Sequence, residues 1–177
     1  MSFVITIGRE YGSGGRYIAS ELAKKLNVNF YDGKLLEKVA EKAGFSLDYV
    51  QSNDEKKDNY FFGYNMFSSE VMSAAQRVAT EQFKVIEHLA QTESCVIVGR
   101  CSNYILRDHN NVVNVFIYAQ MKEKIDKQRA SYFNFFTNMK WGRRENYDLC
   151  INSSIGIEEC TDLIIQYLKY RFPNENI

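Results

Sequence analysis

The sequence is poor in several residue types and has no excess of either charge. It contains one proline, Pro173, and two histidines among 177 residues. Lys plus Arg and Asp plus Glu both number 22, so the formal net charge is zero. Since coating of nucleic acid or of an anionic membrane depends on excess positive charge, we expect neither as a partner. Histidine and cysteine do not cluster at zinc-binding spacing, so no metal site is predicted.

Long apolar runs and targeting signals are also missing. No run approaches the ~18 apolar residues of a membrane span, and the first residues, MSFVITIG, include no basic n-region. The four cysteines form no C-x-x-C pair, which favours reduced thiols. We therefore expect a cytoplasmic protein with a single domain over residues 1–177, since one domain usually takes roughly 100–200 residues.

Short apolar runs alternate with amphipathic stretches along the chain. Strands are predicted at residues 3–7, 28–32, 94–99, 112–119 and 147–152. Helices are predicted at residues 16–26, 34–43, 70–91, 101–106, 122–136 and 157–172. This alternation predicts an α/β domain with a mostly parallel, five-stranded sheet flanked by helices. Ligands of such sheets bind beyond the carboxyl ends of the strands, so polar residues that follow strands are the candidates for function.

Four of the ten glycines lie at positions 8, 12, 14 and 15, directly after the first predicted strand. A glycine-rich turn that opens a helix presents backbone N–H groups to an anion. The dinucleotide pattern G-x-G-x-x-G starts at Gly12 but fails at Tyr17, although Asp32 after the second strand keeps this alternative open. A turn without any ligand is the simplest alternative.

The triphosphate pattern G-x-x-x-x-G-K-[ST] fits the same turn in a degenerate form. Aligned on Gly15, it places Arg16 at the lysine and Tyr17 at the small hydroxyl residue. Arginine keeps the positive charge and can bind two phosphate oxygens at once. Tyr17 is a poor substitute for the hydroxyl that usually holds Mg²⁺, and Ser13 is the alternative hydroxyl in the loop.

Several segments together resemble the cytidylate kinase-like family, a branch of the P-loop nucleoside monophosphate kinases. In chain order they are ITIGREYGSGGR, NFYDGKLLEKVAEKAG, VIVGRCSNYIL, DKQRASYF and KWGRRENYDLCINSS. The resemblance implies a three-layer P-loop NTPase fold that uses ATP and Mg²⁺. It also implies phosphoryl transfer to a nucleoside monophosphate, with CMP or dCMP as the acceptor and small-molecule nucleotides as the partners.

The resemblance also assigns roles to residues. The implied ATP phosphate-binding residues are Gly12, Ser13, Gly14, Gly15, Arg16 and Tyr17. The implied acceptor-binding residues are Asp32, Lys38, Arg100 and Asp126. Catalytic roles fall on Arg16 and on Arg129, which ends a D-x-x-R motif. A solvated helix lysine remains the alternative for Lys38, and a surface ion pair the alternative for Asp126 and Arg129.

The sequence departs from the family pattern at the lid. The resemblance implies that residues 33–92 are the acceptor-binding helices and that residues 120–145 are a shortened lid region. Six residues, 120–125, stand where the family has a helix and an arginine-bearing lid. Either the lid is absent or a stretch is missing from the sequence, and we favour the second alternative.

Other departures leave the function open. Cys101 replaces a family aspartate, and Lys38 replaces an arginine that binds the acceptor phosphate. These changes keep open a P-loop kinase for another small acceptor. The short lid and Tyr17 keep open a nucleotide-binding regulatory protein without transfer activity. The segment KWGRRENYD, residues 140–148, is either a nucleotide contact or a link, and the aromatic segment 61–67 is either core or a homodimer contact.

Overall fold

The computed structural model describes residues 2–46, 48–50, 74–119, 123–175 and 177. The strands are β1 (Val4–Arg9), β2 (Asn29–Tyr31), β3 (Cys95–Val98), β4 (Val112–Tyr118) and β5 (Leu149–Asn152). The described helices are α1 (Gly15–Lys25), α2 (Gly33–Ala43), α3 (Ala74–Thr92), α4 (Ser102–Ile105), α5 (Glu123–Thr137) and α6 (Ile157–Arg171). Two 3₁₀ turns lie at Arg144–Asn146 and Ser153–Ile155. The aromatic segment 61–67 and part of the region 33–92 lie outside the described residues.

The described strands form one sheet in the order β2-β3-β1-β4-β5. Every neighbouring pair in this sheet is parallel. The two central strands, β1 and β3, are buried throughout their apolar parts, as expected for strands covered by helices on both faces. The predicted parallel α/β architecture is confirmed.

Two apolar layers, one on each face of the sheet, make the core. On one face, Ile5, Val96 and Val113 pack with α1 and α6 through residues such as Leu22 and Ile164. On the other face, a second group packs with α2, α3 and α5, and includes Val4, Ile97, Leu35, Ile86 and Phe133. Alternation of side chains along each strand therefore sends successive residues into different layers. No described helix has the length and apolarity needed to cross a membrane.

The first strand is longer than predicted. It continues beyond Ile7 through Gly8 and Arg9, because β4 offers both residues backbone partners at Phe116 and Ile117. Arg9 is therefore held in a parallel sheet rather than in the loop that follows. This difference matters for the site, because it fixes where the Arg9 side chain begins.

Candidate active site

The loop between β1 and α1 is closed by its own hydrogen bonds. The Ser13 hydroxyl donates to the Glu10 carbonyl oxygen at 2.9 Å and accepts from the Gly15 N–H at 3.3 Å. Gly12 and Gly14 have φ angles of 78° and 68°, in the left-handed region that glycine enters without steric cost. Ser13 is 1% exposed, so its hydroxyl faces the interior of the loop.

A small cavity lies at the carboxyl ends of β1 and β3. Its volume is about 30 Å³, and Arg9, Arg100 and Arg129 all line it. Aromatic side chains form another part of the wall: Tyr132, Phe133, Trp141 and Tyr147. Among the described residues that line the cavity, none is an Asp or a Glu. Three arginines around one cavity concentrate positive charge there, which favours an anionic ligand.

Arg9 is set between two glycines. A Cβ atom added to Gly15 would lie 2.6 Å from Arg9 Cβ and 3.3 Å from Arg9 Cγ. A Cβ atom added to Gly99 would collide with Arg9 Nη1. The Arg9 side chain therefore passes over Gly15 and places its guanidinium against Gly99, at the end of β3. Arg9 was not among the site residues predicted from the sequence. The signal that pointed to Arg100 could have found it, because Arg9 is also an arginine at the end of a buried strand.

Arg100 lies in a strained turn. Gly99, Arg100 and Cys101 have φ angles of 74°, 58° and 56°, so three successive residues are left-handed. For a residue other than glycine this conformation costs about 1–3 kcal/mol, and such strain concentrates at functional sites. The turn is held to β1, because the Gly99 N–H donates to the Ile7 carbonyl at 3.0 Å. Arg100 is 9% exposed, so the structure places it in the cavity wall as a largely buried cation.

Arg16 and Asp32, to which the family resemblance gives roles with different substrates, form an ion pair. Arg16 Nε lies 2.6 Å from Asp32 Oδ2, and the two side chains are 69% and 14% exposed. The pair joins the first turn of α1 to the residue before α2, on the side of the sheet where β2 is the edge strand. Arg16 is therefore brought to Asp32 and does not line the cavity. Tyr17 points to solvent and is 70% exposed.

Lys38 lies at the other end of the sheet. Its Nζ is 3.9 Å from Glu93 Oε1 and 4.9 Å from the centre of the Tyr31 ring. Tyr31 donates to the same Glu93 oxygen at 2.7 Å, and its hydroxyl raises the pKa of Lys38 above the ordinary value. Glu93 precedes β3, so these contacts lie at the amino end of that strand. The structure does not bring Lys38 together with Arg100.

The D-x-x-R motif lies on α5. Arg129 Nη1 donates to the Arg9 carbonyl oxygen at 3.2 Å, which ties this helix to the end of β1. Asp126 lies on the same helix, and its side chain is outside what the structure describes. Since β4 ends at Tyr118 and α5 begins at Glu123, four residues make the whole connection. Residues 120–122 of this connection lie outside the described residues, so the expected omission of a lid stretch stays a prediction.

The segment 140–148 contributes to the cavity through its aromatic residues. Trp141 and Tyr147 both pack on Phe116, with ring centres 5.4 Å and 4.8 Å apart. Burial raises the pKa of Tyr147 above its ordinary value, so the phenol is neutral. Arg143 and Arg144 are exposed. This segment is thus both a link into β5 and a wall of the cavity.

A magnesium ion would find few protein ligands in this loop. The Ser13 hydroxyl is engaged inside the loop, and Tyr17 faces solvent, so neither fits the small hydroxyl of a P-loop. The Glu10 carboxylate accepts from the Ala119 N–H at 3.0 Å, which attaches the loop to the end of β4. In the described part of the chain, no group of three or more His, Cys, Asp or Glu residues suits a metal ion.

Solved structures resemble this fold over almost its whole length. An uncharacterized protein from Eubacterium ventriosum is 31% identical with a TM-score of 0.71, and the alignment covers 95% of this chain and 99% of that one. Shikimate kinase from Aquifex aeolicus is 19% identical with a TM-score of 0.54, over 98% and 100% of the two chains. APS kinase from Mycobacterium tuberculosis, in complex with AMPPNP and APS, is 15% identical with a TM-score of 0.51, over 95% and 98%.

The kinase structures confirm the predicted three-layer P-loop fold. None of the curated proteins matches the chain. The model of the cytidylate kinase-like family matches residues 4–128 and 120–155. These two stretches include β1 to β5 and all the arginines of the cavity. With most of its length matched, this chain belongs to the cytidylate kinase-like family.

Proposed function

We propose that this protein transfers the terminal phosphoryl group of ATP to the phosphate of a nucleoside monophosphate, with CMP and dCMP as the first acceptors. Membership of the cytidylate kinase-like family supports the reaction class. The observation that carries the proposal is the convergence of Arg9, Arg100 and Arg129 on one cavity at the carboxyl ends of the strands. Phosphoryl transfer asks the protein mainly to align two anionic reactants and to neutralise their charge.

In the proposed reaction, an oxygen of the acceptor phosphate forms a bond to the γ-phosphorus of ATP. The bond from that phosphorus to the β–γ bridging oxygen breaks, and its electron pair leaves with ADP. Arg100 binds the acceptor phosphate, and Arg129 stabilises the charge on the group in transit. The loop amides between Gly12 and Gly15 bind donor phosphates. Bound Mg²⁺ would neutralise further phosphate charge, and the phosphates would supply most of its ligands.

Another small acceptor is the second candidate, and the position of Lys38 favours it. The family's cation for the acceptor phosphate corresponds to Lys38, which here contacts Glu93 at the amino end of β3. An acceptor without a nucleotide phosphate would not need a cation at that position. Relatives by fold are kinases named for shikimate and for APS, so both compounds belong among the acceptors to be tried.

The test measures ADP release from MgATP with CMP, dCMP, UMP, AMP, shikimate and APS as separate acceptors. We expect turnover with CMP or dCMP. We expect Arg129→Ala to lower kcat by roughly 100-fold, the usual size of a lost transition-state charge contact. Arg107→Ala is the matched control, because Arg107 stacks on Tyr104 away from the cavity. Turnover with shikimate or APS alone would favour the second candidate. ATP binding without turnover would indicate a regulatory protein, and an active Arg129→Ala variant would contradict the assigned role.

A further inference from the structure

We propose that Arg9 supplies the cation that a P-loop takes from its lysine, and that its guanidinium binds the polyphosphate of the ATP donor. This inference rests on the proposed function and names the residue that serves its donor site. It moves the cation from the first turn of α1 to the last residue of β1. The sequence pattern alone favours Arg16 for this role, and the geometry points to Arg9.

The first step of the argument is the position of Arg16. Its Nε lies 2.6 Å from Asp32 Oδ2, and its side chain is 69% exposed. The ion pair directs Arg16 toward the start of α2, away from the cavity wall. A charge held by a carboxylate in this way has less attraction left for a phosphate. The first turn of α1 therefore offers the cavity no cation from Arg16.

The second step is the space that Arg9 occupies. Gly15 is the first residue of α1, and any side chain there would begin 2.6 Å from Arg9 Cβ. A lysine at position 15 and an arginine at position 9 therefore exclude one another. Gly99 completes the arrangement, because its missing side chain leaves room for the Arg9 guanidinium at the end of β3. Because Gly15 and Gly99 have no side chains, the Arg9 side chain, which starts from β1, occupies the space over the loop.

The third step is how firmly Arg9 is held. Its backbone is paired with Ile117 on β4, and its carbonyl oxygen accepts from Arg129 Nη1 at 3.2 Å. Arg100 and Arg129 line the same cavity, so an anion bound there lies among three guanidinium groups. A guanidinium also presents a planar fork that binds two phosphate oxygens, which a lysine does not.

The test is titration calorimetry with inorganic tripolyphosphate, which carries the donor phosphates without base or ribose. We expect Arg9→Gln to weaken binding by roughly 10- to 100-fold, the range for lost hydrogen bonds to a charged group. Arg16→Gln should weaken it by less than about threefold, since that side chain lies outside the cavity wall. Arg107→Gln is the matched arginine control and should bind like the unchanged protein.

Moving the positive charge from position 9 to position 15 should restore tripolyphosphate binding if Arg9 acts through its charge. A purely structural role of Arg9 would not be restored in this way. The double variant Arg9→Gly with Gly15→Lys removes the overlap with the Arg9 side chain, keeps a tighter contact of 3.2 Å to Ile117 Cβ, and returns a cation to the helix. We expect it to recover binding to within about tenfold, whereas Gly15→Lys alone should weaken binding because it collides with Arg9 Cβ. Thermal melting identifies a variant that fails to fold, and Gly15→Ala, which displaces the Arg9 stem, then replaces Arg9→Gln.

The outcomes separate this inference from the proposed function. Equal binding by Arg9→Gln and the unchanged protein overturns the role of Arg9, as does a larger effect from Arg16→Gln. Failure of the unchanged protein to bind tripolyphosphate overturns it too. Normal tripolyphosphate binding that depends on Arg9, without phosphoryl transfer to any acceptor, leaves the inference standing and refutes the proposed kinase activity.

Discussion

Gly8 gives the sharpest test of how the cavity wall is packed. A Cβ atom added there would lie 2.8 Å from Phe116 Cδ2, 3.0 Å from Tyr147 Cε1 and 3.1 Å from the Tyr147 hydroxyl. Gly8 has no positive φ angle, so the destabilisation expected of Gly8→Ala comes from this overlap and not from backbone strain. Two rigid rings must shift, and overpacking of this kind costs about 1–3 kcal/mol. For a domain of this size, 2 kcal/mol lowers Tm by roughly 4–8 °C.

The assay is thermal unfolding of Gly8→Ala, of Tyr147→Leu and of the double variant. Leucine removes the atoms of Tyr147 that overlap, so Gly8→Ala should cost less in that background, with a coupling of at least about 0.5 kcal/mol. Gly12→Ala is the matched control, because nothing lies within 4 Å of its added Cβ atom and its φ angle is 78°. Its cost is conformational and should not change with Tyr147→Leu. An unchanged Tm for Gly8→Ala would refute the packing argument, and equal costs in both backgrounds would refute the part of it that rests on Tyr147.

Two further predictions concern buried titratable groups. Burial raises the pKa of Tyr147 above its ordinary value of 10.0, and burial raises the pKa of the Cys95 thiol to about 12. At alkaline pH the folded state therefore retains protons that the unfolded state releases. The free energy of unfolding should therefore be constant at neutral pH and fall from about pH 9 upward. Urea unfolding between about pH 8 and about pH 11 measures this decrease. Tyr147→Phe should make the decrease smaller, because it removes one of the two groups. A profile that stays flat or rises contradicts the burial of these groups. In the native protein, Ellman's reagent should react quickly only with the exposed thiol of Cys150. The buried thiols should react only after denaturation, and they are those of Cys95, Cys101 and Cys160. Cys150→Ser should remove the fast reaction, and several fast thiols in the native protein would show that the core is open.

Much of the architecture follows from patterns that act locally. The apolar runs before Gly8 and Gly99 predict buried strands, and the strands lie side by side as β1 and β3. The position of Arg100 could be predicted for the same reason, because residues that directly follow a central strand lie at the carboxyl edge of the sheet. The helix after β4 follows from its sequence as well, since it is predicted at residues 122–136 and α5 spans Glu123–Thr137.

The remaining features depend on pairings between distant residues. The Arg16 side chain turns to Asp32, and the Lys38 side chain to Glu93, because those carboxylates come within reach only in the folded sheet. β1 extends to Arg9 because β4 supplies backbone partners that its own sequence does not reveal. Motif alignment counts positions along one segment, so it favours Arg16, whereas the space over Gly15 belongs to a side chain from the strand.

The positions of the cavity arginines bear on how the proposed transfer would proceed with a four-residue connection after β4. Arg9 ends a strand that is paired on both sides, Arg100 lies in a turn bonded to β1, and Arg129 lies on a 15-residue helix. Charges fixed in advance stabilise a transition state without the reorganisation that a closing segment requires. A lid also excludes water, and that task would fall to the aromatic wall that includes Trp141 and Tyr132. In the proposed transfer, charge stabilisation and water exclusion would therefore both fall to residues of the packed domain, and substitutions in its core should alter catalysis and stability together.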